Sequence, residues 1–414
     1  MRERVAELAG ARFLHALSHH PLNDDALLRL ATPEESRRVM LPIRGDDGAL
    51  RMLTAWRVRY SSALGPTKGG VRFTRDVTEE QLFALAFRIM LKCAVNGLPH
   101  GGAGGAVAVA PSELSSAERE QVARRYVDAL GDAVAPDRDI LSPDLGTDAE
   151  TMAWMADQYT RRRGESPAGA INGKPVALGG IPGRPGATAR GAWVVLEQVL
   201  ESLGWVARGL TFAVQGYGSA GGHLAVLLQQ RGLRMVAAAD SSGGLLDAAG
   251  LDAAALWKAK SEGRRFADVE DVQIDGARRG TVDDVLCAQA DIVIPAATAN
   301  QITADVAASV ATRLVLEVAN GPVAPDAEAI LADRGIVVVP DLVANAGGIT
   351  MSHFEWAQNR DGVRWTETEA HARLDARMLG TARAMIETAR TLHIPLAVAA
   401  QVLAIERLAA SLHT

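Results

Sequence analysis

Between residues 186 and 350 short apolar runs alternate with helix-length segments, and this alternation constrains the fold more than any other feature of the chain. LTFAVQ (210–215), LRMVAAAD (233–240), ADIVIPAA (290–297), RLVLEVAN (313–320) and GIVVVP (335–340) each have the length and residue types of a strand. Strands separated by helices predict a parallel, doubly wound sheet of the Rossmann type. The first run enters GYGSAG, so Gly216, Gly218 and Gly221 form G-x-G-x-x-G directly after a strand and ahead of a helix. Asp240 ends the next strand, nineteen residues beyond Gly221. In a chain with 40 glycines the glycine pattern alone is a weak signal; the strand before it and the acid after it give it meaning. Such glycines let backbone approach a pyrophosphate at a helix N-terminus, and the acid holds the adenosine ribose hydroxyls. NAD is the expected cofactor, because a carboxylate disfavours a 2′-phosphate, with NADP left open by Ser241 and Ser242.

Residues 1–185 mix helical and strand patterns and read as a separate domain. From Glu79 to Cys93 the apolar residues Leu82, Ala86, Ile89 and Cys93 keep one helical face, which Phe83, Phe87, Met90 and Ala94 widen. Thr147 and Glu150 have capping-box spacing ahead of a helix that stops at Gly164, which puts Asp144 in the loop before it. The run Cys93–Ser112 is uncharged and about as long as a membrane span but carries Pro99, Pro111, Asn96 and five glycines, so it reads as turn-rich and not as a span. From Ser352 onward the chain reads as helix, with 367–391 its longest run.

Composition excludes several classes of function. The net charge of −6 with acidic and basic residues interspersed offers no basic stripe for nucleic acid. Cys93 and Cys287, far apart, give neither a disulfide framework nor a thiolate metal site, and a reducing cytoplasm fits. His19, His20, His100 and His223 lack partners at metal-ligand spacing. The N-terminal MRERVAELAG is charged and lacks an apolar signal region.

Positive charge is supplied almost wholly by arginine. Lysine occurs only at 68, 92, 174, 258 and 260. Two of these, Lys68 in GPTKGGVRF and Lys92 in LKCAVNGLPHGGAGGAVAV, stand among glycines, where a compact ammonium beside closely approaching backbone suits a carboxylate. Their bland alternatives are a solvated loop charge and a helix-terminal lysine with its head in water.

These two segments resemble the substrate site of the glutamate dehydrogenase family, the group that also deaminates leucine, phenylalanine and valine. The resemblance implies a two-domain α/β chain: a substrate-binding and oligomerisation domain over 1–185, a Rossmann-type NAD domain over 186–350, and C-terminal helices over 351–414 that return to the first domain. It implies that Lys92 holds an α-carboxylate, that Lys68 and Ser352 hold a side-chain carboxylate, and that Asp144 in DILSPDLGT moves protons to and from the substrate amine. Arg184 and Thr188 in GGIPGRPGATARG, Asn300 in AATANQIT, Asn320 in EVANGP and Asn345 in DLVANAGG match positions near the nicotinamide and its ribose. Each asparagine also suits a plain turn. A hexamer is the assembly the family implies.

One residue departs from the family pattern. The third family lysine, the catalytic one, lies twelve residues after the second, and here that position is Gly104, with no lysine between Lys92 and Lys174. Glycine supplies neither a donor nor a base, so binding can persist while turnover falls by about 10²–10⁴. Three readings follow: a non-catalytic, amino-acid-binding subunit working with a catalytic paralogue; a slow NAD-dependent glutamate dehydrogenase using Asp144, water or His100; and reduction of a preformed imine.

Overall fold

The computed structural model describes residues 10–167, 169–268 and 277–412, so most of the charged N-terminal stretch lies outside the described residues. The chain divides into two compact units, one running to Arg184 with Ile349–Ala372 and Gln401 onward, the other Pro185–Gly348 with Arg373–Ala400. This is the two-domain α/β architecture expected from the strand and helix patterns.

The first unit is built on a five-stranded mixed sheet in the order β1-β2-β4-β3-β5, formed by β1 (Glu35–Arg44), β2 (Leu50–Ser61), β3 (Thr67–Phe73), β4 (Gly101–Val107) and β5 (Asp139–Pro143). β4 runs antiparallel to β2 and parallel to β3, which in turn runs parallel to β5. One face of the sheet presents Val71, Phe73, Val107 and Leu141 to Val122 and Tyr126 of the helix Ser116–Leu130 and to Met152 and Met155 of the helix Ala149–Arg163. The helix Glu79–Val95 covers part of the other face, opened by a capping box between Thr78 and Gln81. Beneath the sheet centre Arg57 forks onto both carboxylate oxygens of Asp139 at 2.8 and 2.7 Å and donates to the carbonyls of Gly69, Gly70 and Ile140. That buried pair ties β2, β3 and β5 together.

Two local expectations are corrected. GGAGGAV (101–107), read from sequence as part of a turn-rich segment, is a fully buried strand. It is glycine-rich because its neighbours sit too close for side chains: a Cβ on Gly102 would lie 2.0 Å from the carbonyl oxygen of Ala86. The helix after Asp144 is capped by Asp148 with Thr151, not by Thr147 with Glu150, because it starts at Ala149. Thr147 instead receives the Asp144 amide and donates to the carbonyl of Val71, which fixes the loop.

The second unit carries a seven-stranded sheet, β12-β11-β10-β6-β7-β8-β9. Its strands are β6 (Thr211–Gln215), β7 (Arg234–Asp240), β8 (Gly243–Leu246), β9 (Arg278–Gly280), β10 (Ile292–Pro295), β11 (Leu314–Leu316) and β12 (Val337–Val339). The five strands found in the sequence are parallel and include both neighbours of β6. The sheet is not wholly parallel, however: β8 and β9 are antiparallel additions, because only Ser241 and Ser242 separate β7 from β8 and so short a link permits only a hairpin.

The helical tail is shared between the units. Its segment 373–400 groups with the second unit, where Asp375 pairs in bidentate fashion with Arg190 and Arg383 bonds Gln198. Among the described residues no single helix is long and apolar enough to cross a membrane.

Candidate active site

Side chains in a strand alternate, so Lys68 and Gly70 share one face of β3, while Gly102 and Gly104 share one face of β4. Lys68 pairs with Gly102 and Val71 with Gly105, so Gly104 falls beside Gly70 on that same face. The helix Glu79–Val95 lies over it and carries Lys92 in its last turn. Asp144 stands there too: a Cβ on Gly70 would come 2.5 Å from the Asp144 Cβ. The fold thus brings Lys68, Lys92, Asp144 and position 104 to one face of one sheet.

The lysines are not surface charge. Lys68 and Lys92 are 1 % and 5 % exposed. Burial pushes the Lys68 ammonium down to about 7, with Arg184 adding to the effect and Glu355 opposing it. Both lysines draw down the Cys93 thiol beside them, but its own burial dominates and raises it to about 12, which leaves it inert. Lys68 Nζ reaches the Ser352 carbonyl at 3.5 Å, so the expected juxtaposition of Lys68 and Ser352 is present. Asp144 accepts from Arg72 at 3.0 Å and from the Leu145 amide at 2.7 Å, which hold the side chain in place while leaving it partly exposed.

A second cluster adjoins Ser352 and was missed in the sequence. Glu355, fully buried, accepts from the Gly173 amide, from Lys174 Nζ at 3.1 Å and from Arg184 at 3.2 Å. Asn172 donates to the Ser352 carbonyl at 2.7 Å and approaches its hydroxyl at 3.3 Å. Arg184, expected beside the nicotinamide, also approaches that hydroxyl, at 3.5 Å, and so bonds both Ser352 and Glu355. Lysine's scarcity is the signal that could have singled out Lys174. His100 is fully buried, shares a 3.0 Å hydrogen bond with His353 and meets Trp356 edge-on. Burial, Lys68 and His353 hold it neutral.

The glycine turn of the second unit fits a dinucleotide. Gly216 has φ +96 and a Cβ there would strike the Ala297 amide at 2.5 Å; Gly218 opens on free space; a Cβ on Gly221 would lie 2.0 Å from the Gly216 carbonyl oxygen. The turn is therefore tight, open above and closed against its helix, Ser219–Gln230, as a pyrophosphate cradle requires. The Gly216 amide donates to Ala239, which sets Asp240 beside the turn. Asn345 donates to the carbonyls of Val318 and Ala319 and to the side chain of Asn320, joining two of the asparagines. Asn300 is exposed with φ +54, the conformation of a turn asparagine. Thr188 lies in the first turn of the helix Ala187–Ser202, with its hydroxyl 2.9 Å from where a Cβ on Gly348 would be. Among the described residues no three His, Cys, Asp or Glu side chains group to hold a metal ion.

Comparison with known proteins follows the same division. Residues 33–161 match the family model described as Glu/Leu/Phe/Val dehydrogenase, dimerisation domain, and residues 179–414 match Glutamate/Leucine/Phenylalanine/Valine dehydrogenase. The chain is 41 % identical to an NADP-specific glutamate dehydrogenase of Synechocystis, covering 97 % of this chain and 94 % of that one. It is 37 % identical to NAD-specific glutamate dehydrogenase A of Halobacterium salinarum, covering 98 % and 92 %. A hetero-hexameric glutamate dehydrogenase from Thermus thermophilus, in a leucine-bound form, superposes with a TM-score of 0.92 at 36 % identity, covering 98 % of this chain and 96 % of that one.

Proposed function

The chain belongs to the Glu/Leu/Phe/Val dehydrogenase family and is a glutamate dehydrogenase-type protein, and from that premise we propose that it is an amino-acid-binding subunit of low intrinsic activity that works beside a catalytic paralogue. One observation carries the reading: Gly104 lies on the lysine-bearing face, beside the Gly70 that Asp144 stands over, with room for a Cβ it lacks. A Cβ built there meets the Leu82 carbonyl oxygen and Leu85 at no less than 3.4 Å, ordinary contact, whereas Gly102 and Gly70 on that face admit none. Steric need explains the neighbouring glycines and does not explain this one.

The remaining residues suit a dicarboxylic amino acid. Lys92 receives the α-carboxylate; Lys68 and the Ser352 hydroxyl receive the side-chain carboxylate, which leucine would leave unpaired. Asp144, oriented by Arg72, takes and returns a proton at the amine nitrogen. A nicotinamide dinucleotide supplies, when bound, the hydride acceptor, with NAD or NADP filling the glycine cradle. What the chain lacks is a cation to polarise the carbonyl and assist water. The hetero-hexamer formed by a structural neighbour supports a mixed assembly, and the cytoplasm is its inferred place of work. The slow-enzyme reading has support of its own in the fixed, partly exposed Asp144.

Calorimetry and turnover on the purified chain separate these readings. Expected are binding of 2-oxoglutarate and of a dinucleotide, glutamate oxidation at least about a hundredfold below the ordinary range of about 1–10³ per second, and, in a mixed assembly, a partner rate that responds to glutamate through this chain. Lys92→Ala in this chain should abolish that response without removing the dinucleotide. Ordinary turnover by the chain alone would overturn the proposal, and a partner rate indifferent to any ligand would leave the slow enzyme.

A further inference from the structure

Asp240 is the residue from which sequence reasoning drew a preference for NAD, and the structure shows it already occupied. Its Oδ1 accepts from the Ser242 amide at 2.8 Å and the Ser242 hydroxyl at 2.5 Å. Its Oδ2 accepts from Lys260 Nζ at 2.6 Å and the Phe266 amide at 3.0 Å. A carboxylate has about four lone-pair sites, so the chain's own donors fill them. An acid at this place disfavours a 2′-phosphate in two ways, by binding the ribose hydroxyl that the phosphate replaces and by repelling its charge. Here the first is weakened because the acceptors are taken. The second is weakened because an ammonium neutralises the carboxylate at contact distance.

Lys260 is also placed to act on a ligand. It projects from the last turn of the helix Ala253–Ser261, its head near the Phe266 ring. It is 21 % exposed where Asp240 is 4 % exposed. Among the described residues its ammonium bonds only to Asp240, and an ammonium has three protons to give. Beside it the hairpin link presents the exposed Ser241.

We propose that Lys260 sets the cofactor preference of this chain: by neutralising Asp240 and offering its ammonium at the ribose end of the glycine turn, it admits a 2′-phosphate, so that NADP binds as well as NAD. The inference rests on the dinucleotide reading of the second unit. It is tested by titrating the full chain calorimetrically with NAD and NADP, and with adenosine 2′,5′-bisphosphate against 5′-AMP. Wild type should bind NADP within about tenfold of NAD. Lys260→Met should weaken NADP by about tenfold or more, and the bisphosphate with it, while NAD, whose ribose hydroxyl gains the freed Asp240 oxygen, is not weakened. Asp240→Asn, which keeps the shape and leaves Lys260 in place, should shift the ratio further toward NADP and serves as the decisive variant if Lys260→Met does not fold. Exclusion of NADP by wild type, or an unchanged NADP-to-NAD ratio in the folded variants, would overturn the assignment. Binding of neither dinucleotide by wild type would overturn the dinucleotide reading itself, and this inference with it.

Discussion

Gly104→Lys should convert a binding site into a working one. Position 104 lies in β4 beside Gly70 of β3, and Asp144 follows β5 on the far side of β3. Neighbouring strands are about 4.8 Å apart and the Asp144 side chain stands over Gly70, 2.5 Å from a Cβ built there, so a lysine at 104 and the Asp144 carboxylate would flank the same spot on this face. The substitution is sterically admissible: the new Cβ meets nothing closer than 3.4 Å, and the backbone needs no positive φ there. Replacing a strand glycine gains up to about 1 kcal/mol of backbone entropy, set against the desolvation of a third ammonium on this face. One positioned acid-base group is worth about 10²–10⁴ in rate, or about 3–5 kcal/mol of barrier. Glutamate-dependent NAD(P)H formation, followed by absorbance at saturating substrate, should therefore rise at least about a hundredfold. Gly104→Met, similar in size but without the ammonium, should give no such gain and separates chemistry from packing. A folded Gly104→Lys that binds glutamate and dinucleotide yet shows the wild-type rate would refute the reasoning.

The depressed Lys68 makes binding and stability depend on pH. Because its folded value of about 7 lies below the unfolded value, the unfolded chain binds the extra proton between those values, and this lysine's contribution to stability rises with pH across that window. Lys68→Met should accordingly be more stable than wild type near pH 7, and by urea titration that advantage should shrink by up to about 1.4 kcal/mol per pH unit toward pH 10. A bound carboxylate favours the charged ammonium, so 2-oxoglutarate binding above pH 7 should take up a proton, read as a dependence of calorimetric heat on buffer ionisation. Arg57→Met leaves Asp139 buried without its cation and should cost about 3–5 kcal/mol by denaturant titration, with the loss shared by any variant of Asp139 that keeps Arg57; a loss below about 1 kcal/mol would mean water reaches the pair.

The parts of this chain that were legible in the sequence are those whose cause is local. Strand β6, the glycine turn, Asp240 and the helix 79–95 each announce themselves by a run, a spacing or a period, because neighbouring residues decide them. β4 did not, since strand patterns are written in alternating side chains and Gly101–Gly105 has almost none to alternate. The Glu355 cluster joins residues 181 apart, and nothing in the spacing of Lys174, Arg184 and Glu355 records that they meet. Asp240 was read correctly as the acid at the end of its strand, but its meaning depends on Lys260, brought to it by a hairpin and a helix that sequence patterns left unassigned.

Lysine usage connects these cases. Lys68, Lys92 and Lys174 are all buried, and an ammonium removed from water is destabilising unless something repays it. Lys174 has that return inside the fold, in Glu355 and the Ile171 carbonyl. Lys68 does not: its contact with the Ser352 carbonyl is long, two nearby cations oppose it, and its proton is loosely held near neutral pH. An anionic group arriving on this face would supply the missing partner and raise the lysine's proton affinity together. In the proposed function the pull on carboxylates comes from Lys68 and Lys92 and not from the position where the chemistry would be completed, so it would survive the loss of a side chain at 104.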